Sequence, residues 1–452
     1  MLAYPGLFLL MAGDAVRYSV GWTGWGVLVT IGILASVFFL YVFDSRATLR
    51  RLPPALYLLV FWMFLSALWS SYRDQTVMAV SLQIGTTLFA LFLANQFGWR
   101  QLLNILANIT RLILAASLLF ELLAAAIGQI EPLHPNYDGA PPSASYLWSQ
   151  GNLFQGERIQ GIVGNANLLA FIAVLGVWLF LIEMIVTANS RVVPSISMIL
   201  AVAMMLLSRS AGMNVAMVLI TFAALVAIVA EGKVFAARKI VYQRASLLLT
   251  AAAATAIVFY REFFELLGKS ADASGRFYIW EQVWGLFLQK PVSGWGWISY
   301  WIPGIEPWEG LAVINGVPMY QAHNAYLDVA VQLGFIGLGV FLWLLAQAFI
   351  RSWHVAVRHT SPLYLYPLFA LLVILGQSLT ESRLLIEIGW VLLVVVLVKS
   401  REGFAELEPM GQSTKLTKIA RFFRRAIRKL VPGKPEHKGI HYPPGQQVKS
   451  KL

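Results

Sequence analysis

Long, uninterrupted runs of apolar residues constrain this chain more than any other feature of its sequence. Six of these runs reach or exceed the roughly 20 residues needed to cross a bilayer. They lie at 19–43, 75–97, 101–129, 164–187, 211–231 and 326–350. The chain is 58% hydrophobic and 12% charged, whereas soluble proteins carry about 25% charged residues. Because the runs do not alternate with period two, strands are disfavoured, and the sequence predicts an all-α polytopic membrane protein.

About twelve apolar segments can be placed along residues 1–398, which form the predicted transmembrane domain. They lie near 1–13, 19–43, 54–69, 75–97, 101–129, 164–187, 192–207, 211–231, 245–260, 326–350, 362–380 and 384–398. If both termini are cytoplasmic, 24 of the 34 Lys and Arg residues lie in cytoplasmic segments and nine in the opposite ones. Positive charge marks the cytoplasmic side of membrane proteins, so we expect cytoplasmic N- and C-termini.

Two predicted extracytoplasmic loops, 130–163 and 261–322, are long enough to carry function. The second lies between the ninth and tenth segments and is expected to form a large loop domain. It contains six tryptophans: Trp280, Trp284, Trp295, Trp297, Trp301 and Trp308. These rings could form an aromatic belt at the membrane surface, or they could stack on sugar rings.

The predicted cytoplasmic tail, 399–452, is strongly basic. Apolar residues recur at helical spacing near 414–430, with Lys and Arg between them. This pattern predicts an amphipathic helix on an anionic membrane surface. Membrane lipid is therefore the expected partner of the tail, and nucleic acid is not.

Arg209 lies in the short turn of LLSRSAGM, on the predicted outer face. Arginine at this position could simply mark a helix end and reach toward lipid headgroups. The positive-inside rule disfavours it there, however, and Ser208 and Ser210 add hydrogen-bond donors. We therefore interpret Arg209 as a candidate binding residue.

Arg276 begins a stretch, RFYIWEQVWGLFL, with apolar residues at helical spacing. Ser274 could cap this helix, which leaves Arg276 in its first turn. A cation there is repelled by the positive end of the helix dipole. An anion bound beside Arg276 would offset this repulsion.

His323 follows a loop rich in Pro and Gly and opens the apolar segment at 326–350. A lone histidine is more often structural than catalytic. At the lip of a span, on the same predicted face as two arginines, it becomes a candidate catalytic residue. Asn324 and Asp328 lie within about one turn and could fix its tautomer.

These residue types suit one chemistry. Guanidinium groups bind phosphate oxygens in a bidentate manner, and a histidine accepts a proton from a hydroxyl near neutral pH. The sequence has no Asp-x-Asp, no Walker loop and no His, Cys and carboxylate cluster with metal-ligand spacing, so neither metal nor cofactor is expected. The pattern favours transfer from a lipid diphosphate to an alcohol.

A transporter of a lipid-linked sugar is the alternative from another class. Transporters place binding groups near the bilayer midplane, often with intramembrane charge. Here the ionisable residues expected at depth are Arg111, Glu121 and Glu183, which are scattered and without obvious partners. The polar residues concentrate at the outer face instead, which favours the enzyme.

The stretch AHNAYLDVAVQLGFIGLGVF, preceded by GRFYIWEQVWGLFLQKPVSGWGW, resembles the signature region of the O-antigen ligase and polymerase family. QGIVGNANLLAF at 160–171 and SRSAG at 208–212 are further matches. The resemblance covers roughly 160–345 and, before that, agrees mainly in hydropathy. It implies a twelve-span fold and metal-independent, inverting glycosyl transfer outside the bacterial cytoplasmic membrane.

The resemblance also implies roles for individual residues. Arg209 and Arg276 would hold the diphosphate of an undecaprenyl-diphosphate-linked glycan, and His323 would serve the acceptor hydroxyl. The acceptor could be a glycan or a glycolipid, because ligases and repeat-unit polymerases share these motifs.

Overall fold

The structure is a computed structural model, and it describes residues 2–43, 52–135, 138–139, 141, 143–186, 190–259, 275–359 and 361–401. These residues form an almost entirely helical protein. The predicted all-α class is confirmed. The predicted amphipathic helix near 414–430 lies outside the described residues.

Thirteen α-helices are present in the described ranges. They are α1 (Ala3–Met11), α2 (Gly13–Val42), α3 (Pro54–Leu65), α4 (Arg73–Gln96), α5 (Trp99–Ile127), α6 (Ala166–Val186), α7 (Val192–Ser208), α8 (Ala211–Ala230), α9 (Phe235–Val258), α10 (Arg276–Gln289), α11 (Ala325–Arg358), α12 (Tyr366–Ser378) and α13 (Glu387–Lys399). A two-residue hairpin pairs β1 (Val313–Ile314) with β2 (Val317–Pro318).

Six of these helices, α2, α4, α5, α6, α8 and α11, are long and apolar enough to cross a membrane. The chain is thus a multi-pass membrane protein, but the predicted twelve spans are not confirmed. Each of the twelve predicted segments does contain a helix. Several are too short to span on their own: α1 has nine residues and α12 and α13 have 13 each. At 1.5 Å per residue, 13 residues cover only about 20 Å.

The short helices are apolar for a different reason than lipid contact. Residues 388–399 of α13 are all buried, and α12 is buried along nearly its whole length. In contrast, only 11% of the residues in the most apolar stretch of α2 are buried by protein. A helix that is apolar all round belongs to a protein core or to a membrane, and hydropathy alone does not separate the two.

Segment 275–322, the described part of the second predicted loop, has its own apolar core and packs on the start of α11. Trp297, Trp301 and Trp308 are at most 3% exposed, and the last two stack with ring centroids 5.6 Å apart. Only Trp284 is substantially exposed, at 47%. Most of these rings therefore stabilise the segment itself, which neither of the two interpretations from the sequence anticipated.

Helix α11 is broken at Gly334, whose φ is +67°. The chain at 291–296 runs against this break. Phe335 N–H donates to Pro291 O at 2.8 Å, and Gly296 N–H donates to Gln332 O at 2.8 Å. These bonds satisfy backbone groups that the break removes from the helix ladder. As a result, α10 and the first turns of α11 are held together.

The ionisable residues inside the bundle are partnered, contrary to the prediction. Arg111 Nη2 lies 2.8 Å from Glu183 Oε2, and Arg111 also donates to Ser197 Oγ at 2.6 Å. Glu121 accepts hydrogen bonds from Ser149 Oγ and from backbone N–H groups at 160–161, including Gly161 N–H at 2.6 Å. These contacts cross between helices or fix a loop, which sequence spacing alone does not reveal.

Candidate functional site

Glu381 lies in the turn between α12 and α13 and joins elements from three parts of the chain. Its Oε1 accepts hydrogen bonds from Asn167 Nδ2 at 2.6 Å and from Arg276 Nη2 at 3.4 Å. Its Oε2 accepts a bond from Gln321 Nε2 at 3.1 Å and lies 3.1 Å from His323 Nδ1. The carboxylate is thus the common partner of two of the three residues singled out from the sequence.

The Glu381 side chain is 5% exposed. Burial alone would raise its pKa, but His323, Arg276 and Arg383 lower the pKa from 4.5 to about 2. Glu381 is therefore ionised throughout the physiological pH range. A buried, ionised carboxylate with several donors is a fixed negative charge around which cationic groups can be arranged.

His323 adopts a left-handed conformation, with φ +49°, immediately before α11. The residues on either side hold it in place. The Asn324 side chain caps α11 by accepting two backbone N–H bonds, and Asp328 Oδ2 accepts Ala322 N–H at 3.0 Å. Asn324 and Asp328 thus position the backbone. The group that contacts the imidazole, and so sets its tautomer, is Glu381.

Arg276 is the first residue of α10, as predicted. The residue before the helix is Gly275, with φ +80° and no side-chain cap, and Ser274 lies outside the described residues. The Glu381 carboxylate is one anion beside Arg276 at the start of this helix. The Arg276 Nε, however, is buried and has no hydrogen-bond partner among the described residues. One donor of this guanidinium is therefore left for another acceptor.

Arg209 closes α7 in a left-handed conformation, with φ +50°. Its side chain is exposed and makes no hydrogen bond or ion pair with any described residue; it lies beside Gly156. The flanking serines are engaged: Ser208 Oγ donates within α7, and Ser210 Oγ donates to Asn167 Oδ1 at 3.0 Å. Because Asn167 binds Glu381, the Arg209 turn is connected to the carboxylate network while the guanidinium is free.

Arg158 is a further cation at this cluster. Its Nε donates to Ser208 O at 3.1 Å, and its Nη2 donates to Asn167 Oδ1 at 2.6 Å. Desolvation and the nearby Arg276 lower the pKa of Arg158, and Glu381 acts in the opposite direction. Glu381 therefore contacts one guanidinium directly, that of Arg276, and is linked through Asn167 to Arg158 and to the turn that carries Arg209.

A second ionic cluster supports the turn that carries Glu381. Arg383 Nη1 lies 3.0 Å from Glu387 Oε2, and Arg17 Nη1 lies 3.0 Å from Glu387 Oε1. Asp14 pairs with Arg17 and lies 3.9 Å from Arg383. Both arginines are largely buried. This cluster fixes the Glu381 turn to the N-terminal helices.

The sequence reasoning did not select Glu381, Arg158, Asn167 or Gln321. A signal was present for two of them. Glu381 stands in TESRL, a short polar turn between two apolar segments, and Arg158 is another arginine on the face where arginine is disfavoured. Asn167 lies in the stretch 160–171 that resembles the family, but the sequence assigned it no role, and nothing local distinguishes Gln321.

The helices and this charged cluster define a multi-pass membrane protein with a polar site where several helices end. Comparison with known proteins then shows what part of the chain is similar to. Residues 196–342 match the family model described as O-antigen ligase. Exopolysaccharide production protein ExoQ of Rhizobium meliloti (strain 1021) is 31% identical over 85 residues, covering 18% of this chain and 20% of that protein.

The resemblance to the O-antigen ligase and polymerase family is thereby confirmed over these residues. The matched range contains Arg209, Arg276 and His323. It contains neither Glu381 nor Arg158, which reach the same cluster from outside it.

Proposed function

We propose that this protein is a glycosyltransferase that moves a glycan from an undecaprenyl-diphosphate carrier to an acceptor hydroxyl on the outer face of the bacterial cytoplasmic membrane. One observation carries the proposal. A single buried carboxylate, that of Glu381, contacts both the guanidinium of Arg276 and the imidazole of His323. This contact supports our assignment of Arg276 to anion binding and of His323 to proton acceptance.

The charge of the cluster suits a diphosphate. Arg158, Arg209 and Arg276 contribute three positive charges and Glu381 one negative charge, which leaves two positive charges when His323 is neutral. A diphosphate bonded to a lipid at one end and to a sugar at the other carries two negative charges. The Arg209 guanidinium and the Nε of Arg276 have no hydrogen-bond partner among the described residues, so we assign them to its oxygens.

His323 is assigned to the acceptor. A neutral imidazole that donates from Nδ1 to the Glu381 carboxylate keeps its Nε2 lone pair, which can then accept a proton. The buried carboxylate also stabilises the imidazolium that forms. This is the same logic by which a carboxylate orients a catalytic histidine in other enzymes.

The reaction is then a single displacement. The acceptor oxygen forms a bond to the anomeric carbon while its proton passes to His323 Nε2. The bond from that carbon to the diphosphate oxygen breaks, and the electron pair leaves with the diphosphate, where the arginines stabilise the growing charge. A single displacement inverts the configuration at the anomeric carbon.

The test uses the purified full chain with a defined undecaprenyl-diphosphate oligosaccharide and candidate acceptors, without nucleotide and with or without EDTA. We expect glycan transfer in both conditions, with inverted anomeric configuration in the product. Loss of transfer with EDTA would contradict the metal-independent part of the proposal. Absence of transfer to any glycan or glycolipid acceptor would contradict the enzyme assignment.

The product separates the remaining alternatives. Glycan on a different lipid or glycan molecule indicates a ligase, whereas lengthened chains on the original carrier indicate a repeat-unit polymerase. The similarity to a protein named for exopolysaccharide production is a reason to test for the polymerase as well as the ligase. Movement of the donor across vesicles without transfer would instead identify a transporter, in which the Arg111–Glu183 pair would be the first residues to test.

A further inference from the structure

A groove between α9 and α11 is separate from the site described above. Its cavity volume is about 350 Å³. The residues that line it are Gln243, Ser246, Phe349, Ile350, Trp353 and His354. We propose that this groove binds an anionic phospholipid, with its phosphodiester headgroup at the polar rim and an acyl chain along the apolar wall.

The groove lies toward the end of the bundle opposite the candidate functional site. Helix α11 begins beside His323, and beyond its break at Gly334 it continues for 19 residues to Trp353, which corresponds to roughly 30 Å at 1.5 Å per residue. Helix α8 begins beside Arg209 and runs away from it, so the start of α9 is also at the far end. A ligand in the groove therefore meets the other membrane surface.

The two helices are locked together next to the groove. Arg238, which is buried, donates from Nη2 to Ala356 O at 3.0 Å and also to His359 O. One turn further along α9, the rings of Tyr242 and Trp353 meet edge to face with centroids 5.3 Å apart. These contacts fix the helix separation, so the neighbouring groove is a built feature of the fold.

Cations border the groove. Lys239 lies one helical turn before Gln243, and Arg358 lies one turn after His354. Both are exposed, and neither forms a hydrogen bond or ion pair with any described residue. Residues 232–244 and 351–361 together contain six Lys or Arg and no Asp or Glu. Charge complementarity therefore calls for an anion.

The lining favours a lipid over a soluble anion. Phe349 and Ile350 form an apolar wall, and Trp353 is of the type that prefers the level of the headgroups. Gln243 and Ser246 can hydrogen-bond to the glycerol and phosphate oxygens. Basic pockets between membrane helices with this combination of groups recognise anionic lipid headgroups.

The chain's own C-terminal segment is a poor occupant by charge. Residues 402–452 contain 11 Lys or Arg and four Asp or Glu, so the segment carries the same sign as the rim of the groove. The two surfaces repel one another. An anionic lipid is attracted to both.

The test places the full chain in nanodiscs that contain a phosphatidylglycerol with a photoreactive acyl chain. After illumination, crosslinked peptides are mapped by mass spectrometry. We expect crosslinks within 239–246 and 349–358, removed by excess unlabelled phosphatidylglycerol and retained with excess phosphatidylcholine. Crosslinks absent from both stretches, or displaced equally by both lipids, would overturn the proposal.

A matched pair of double variants tests the role of charge. K239Q/R358Q removes the two cations at the rim, and R191Q/K233Q removes two exposed cations that lie outside both stretches that line the groove. We expect roughly a fivefold loss of crosslinking for each rim charge removed, and no loss in the second variant. Equal losses in the two would mean nonspecific attraction and would reject the site.

Filling the cavity separates shape from charge. Ser246→Trp leaves the net charge unchanged and occupies the groove, so we expect crosslinking at 349–358 to fall while crosslinking elsewhere is kept. Unchanged crosslinking at 349–358 would exclude the groove as the binding place. Size-exclusion profiles that match those of the unaltered protein establish that each variant is folded.

Discussion

The Nδ1 of His323 lies 3.1 Å from the Oε2 of Glu381, although 58 residues separate them in the chain. The histidine opens α11 and the carboxylate lies in the turn between α12 and α13. The pair therefore exists only when these helices are packed together. Its geometry fixes which imidazole nitrogen faces the protein and which is left for a substrate.

Replacing Glu381 with glutamine tests the carboxylate. Glu381→Gln keeps the size and one acceptor oxygen but removes the charge that stabilises an imidazolium and balances Arg276. We expect the transfer rate to fall by about 10². Glu309→Gln, in the segment before α11, is the matched control, and we expect it to retain the original rate. A Glu381→Gln protein with unchanged kcat would remove the carboxylate from the mechanism.

His323→Asn tests the proposed proton acceptor. Asparagine tolerates the left-handed backbone that His323 adopts, so the fold is expected to survive. Transfer should fall to background, because an amide does not accept the proton, while donor binding should be retained. Binding can be measured with a fluorescent polyprenyl-diphosphate glycan. His134→Asn, in the first loop, is expected to leave both quantities unchanged.

Stability should depend on pH through Glu381. Its pKa is lowered in the folded protein from 4.5 to about 2, so its contribution is fully present above pH 4.5 and is lost as pH falls toward 2. The shift corresponds to at most about 3–4 kcal/mol, since each pKa unit is worth about 1.4 kcal/mol. Melting temperatures in detergent should fall over this interval. In Glu381→Gln the fall should be smaller, and an identical fall would contradict the assignment.

Arg209→Ala should separate binding from folding. The Arg209 guanidinium makes no contact with a described polar group, so the melting temperature should stay within about 1 °C of the original. Donor affinity should fall at least tenfold. Arg209→Lys should restore only part of the affinity, because lysine keeps the positive charge but lacks the paired donors of the guanidinium. An Arg209→Ala protein that binds the donor normally would exclude this residue from the diphosphate site.

Gly334→Ala tests the break in α11. The new Cβ would lie 2.1 Å from Val292 O, and the positive φ adds further strain. We expect a loss of more than about 2 kcal/mol in the free energy of unfolding. Gly339→Ala is the control in the same helix, where a Cβ meets nothing within 4 Å. There we expect a gain of about 0.5–1 kcal/mol, so equal effects at both positions would contradict the role given to the break.

The sequence predicted features that depend on local pattern. Continuous apolar runs located the helices, and the apolar spacing after Arg276 predicted α10 to within one residue of its observed end. The six runs of at least about 20 apolar residues correspond to the six helices that are long and apolar enough to cross a membrane, whereas the six shorter segments are not confirmed as spans. Residues in α13 are apolar because they are buried by protein. Burial by protein and contact with lipid select the same apolar residues, so the sequence does not distinguish them.

The sequence also did not predict contacts between residues that are far apart in the chain. The sequence suggested that Asn324 or Asp328 orients His323, because both are near it in the chain. The orienting group, Glu381, comes from a turn 58 residues away. Likewise, Arg111 and Glu183 pair across two helices, 72 residues apart. Such pairs follow from helix packing, which one sequence without relatives does not reveal.

The seating of residues 291–296 in the break at Gly334 has a mechanical consequence. This segment follows directly after α10, which begins with Arg276, and it is hydrogen-bonded to the first turns of α11, which follow His323. Arg276 and His323 are therefore held by one connected unit of structure. A displacement of either helix carries both groups along. Their separation is therefore preserved, whereas Arg209 stands on a different support, the turn between α7 and α8.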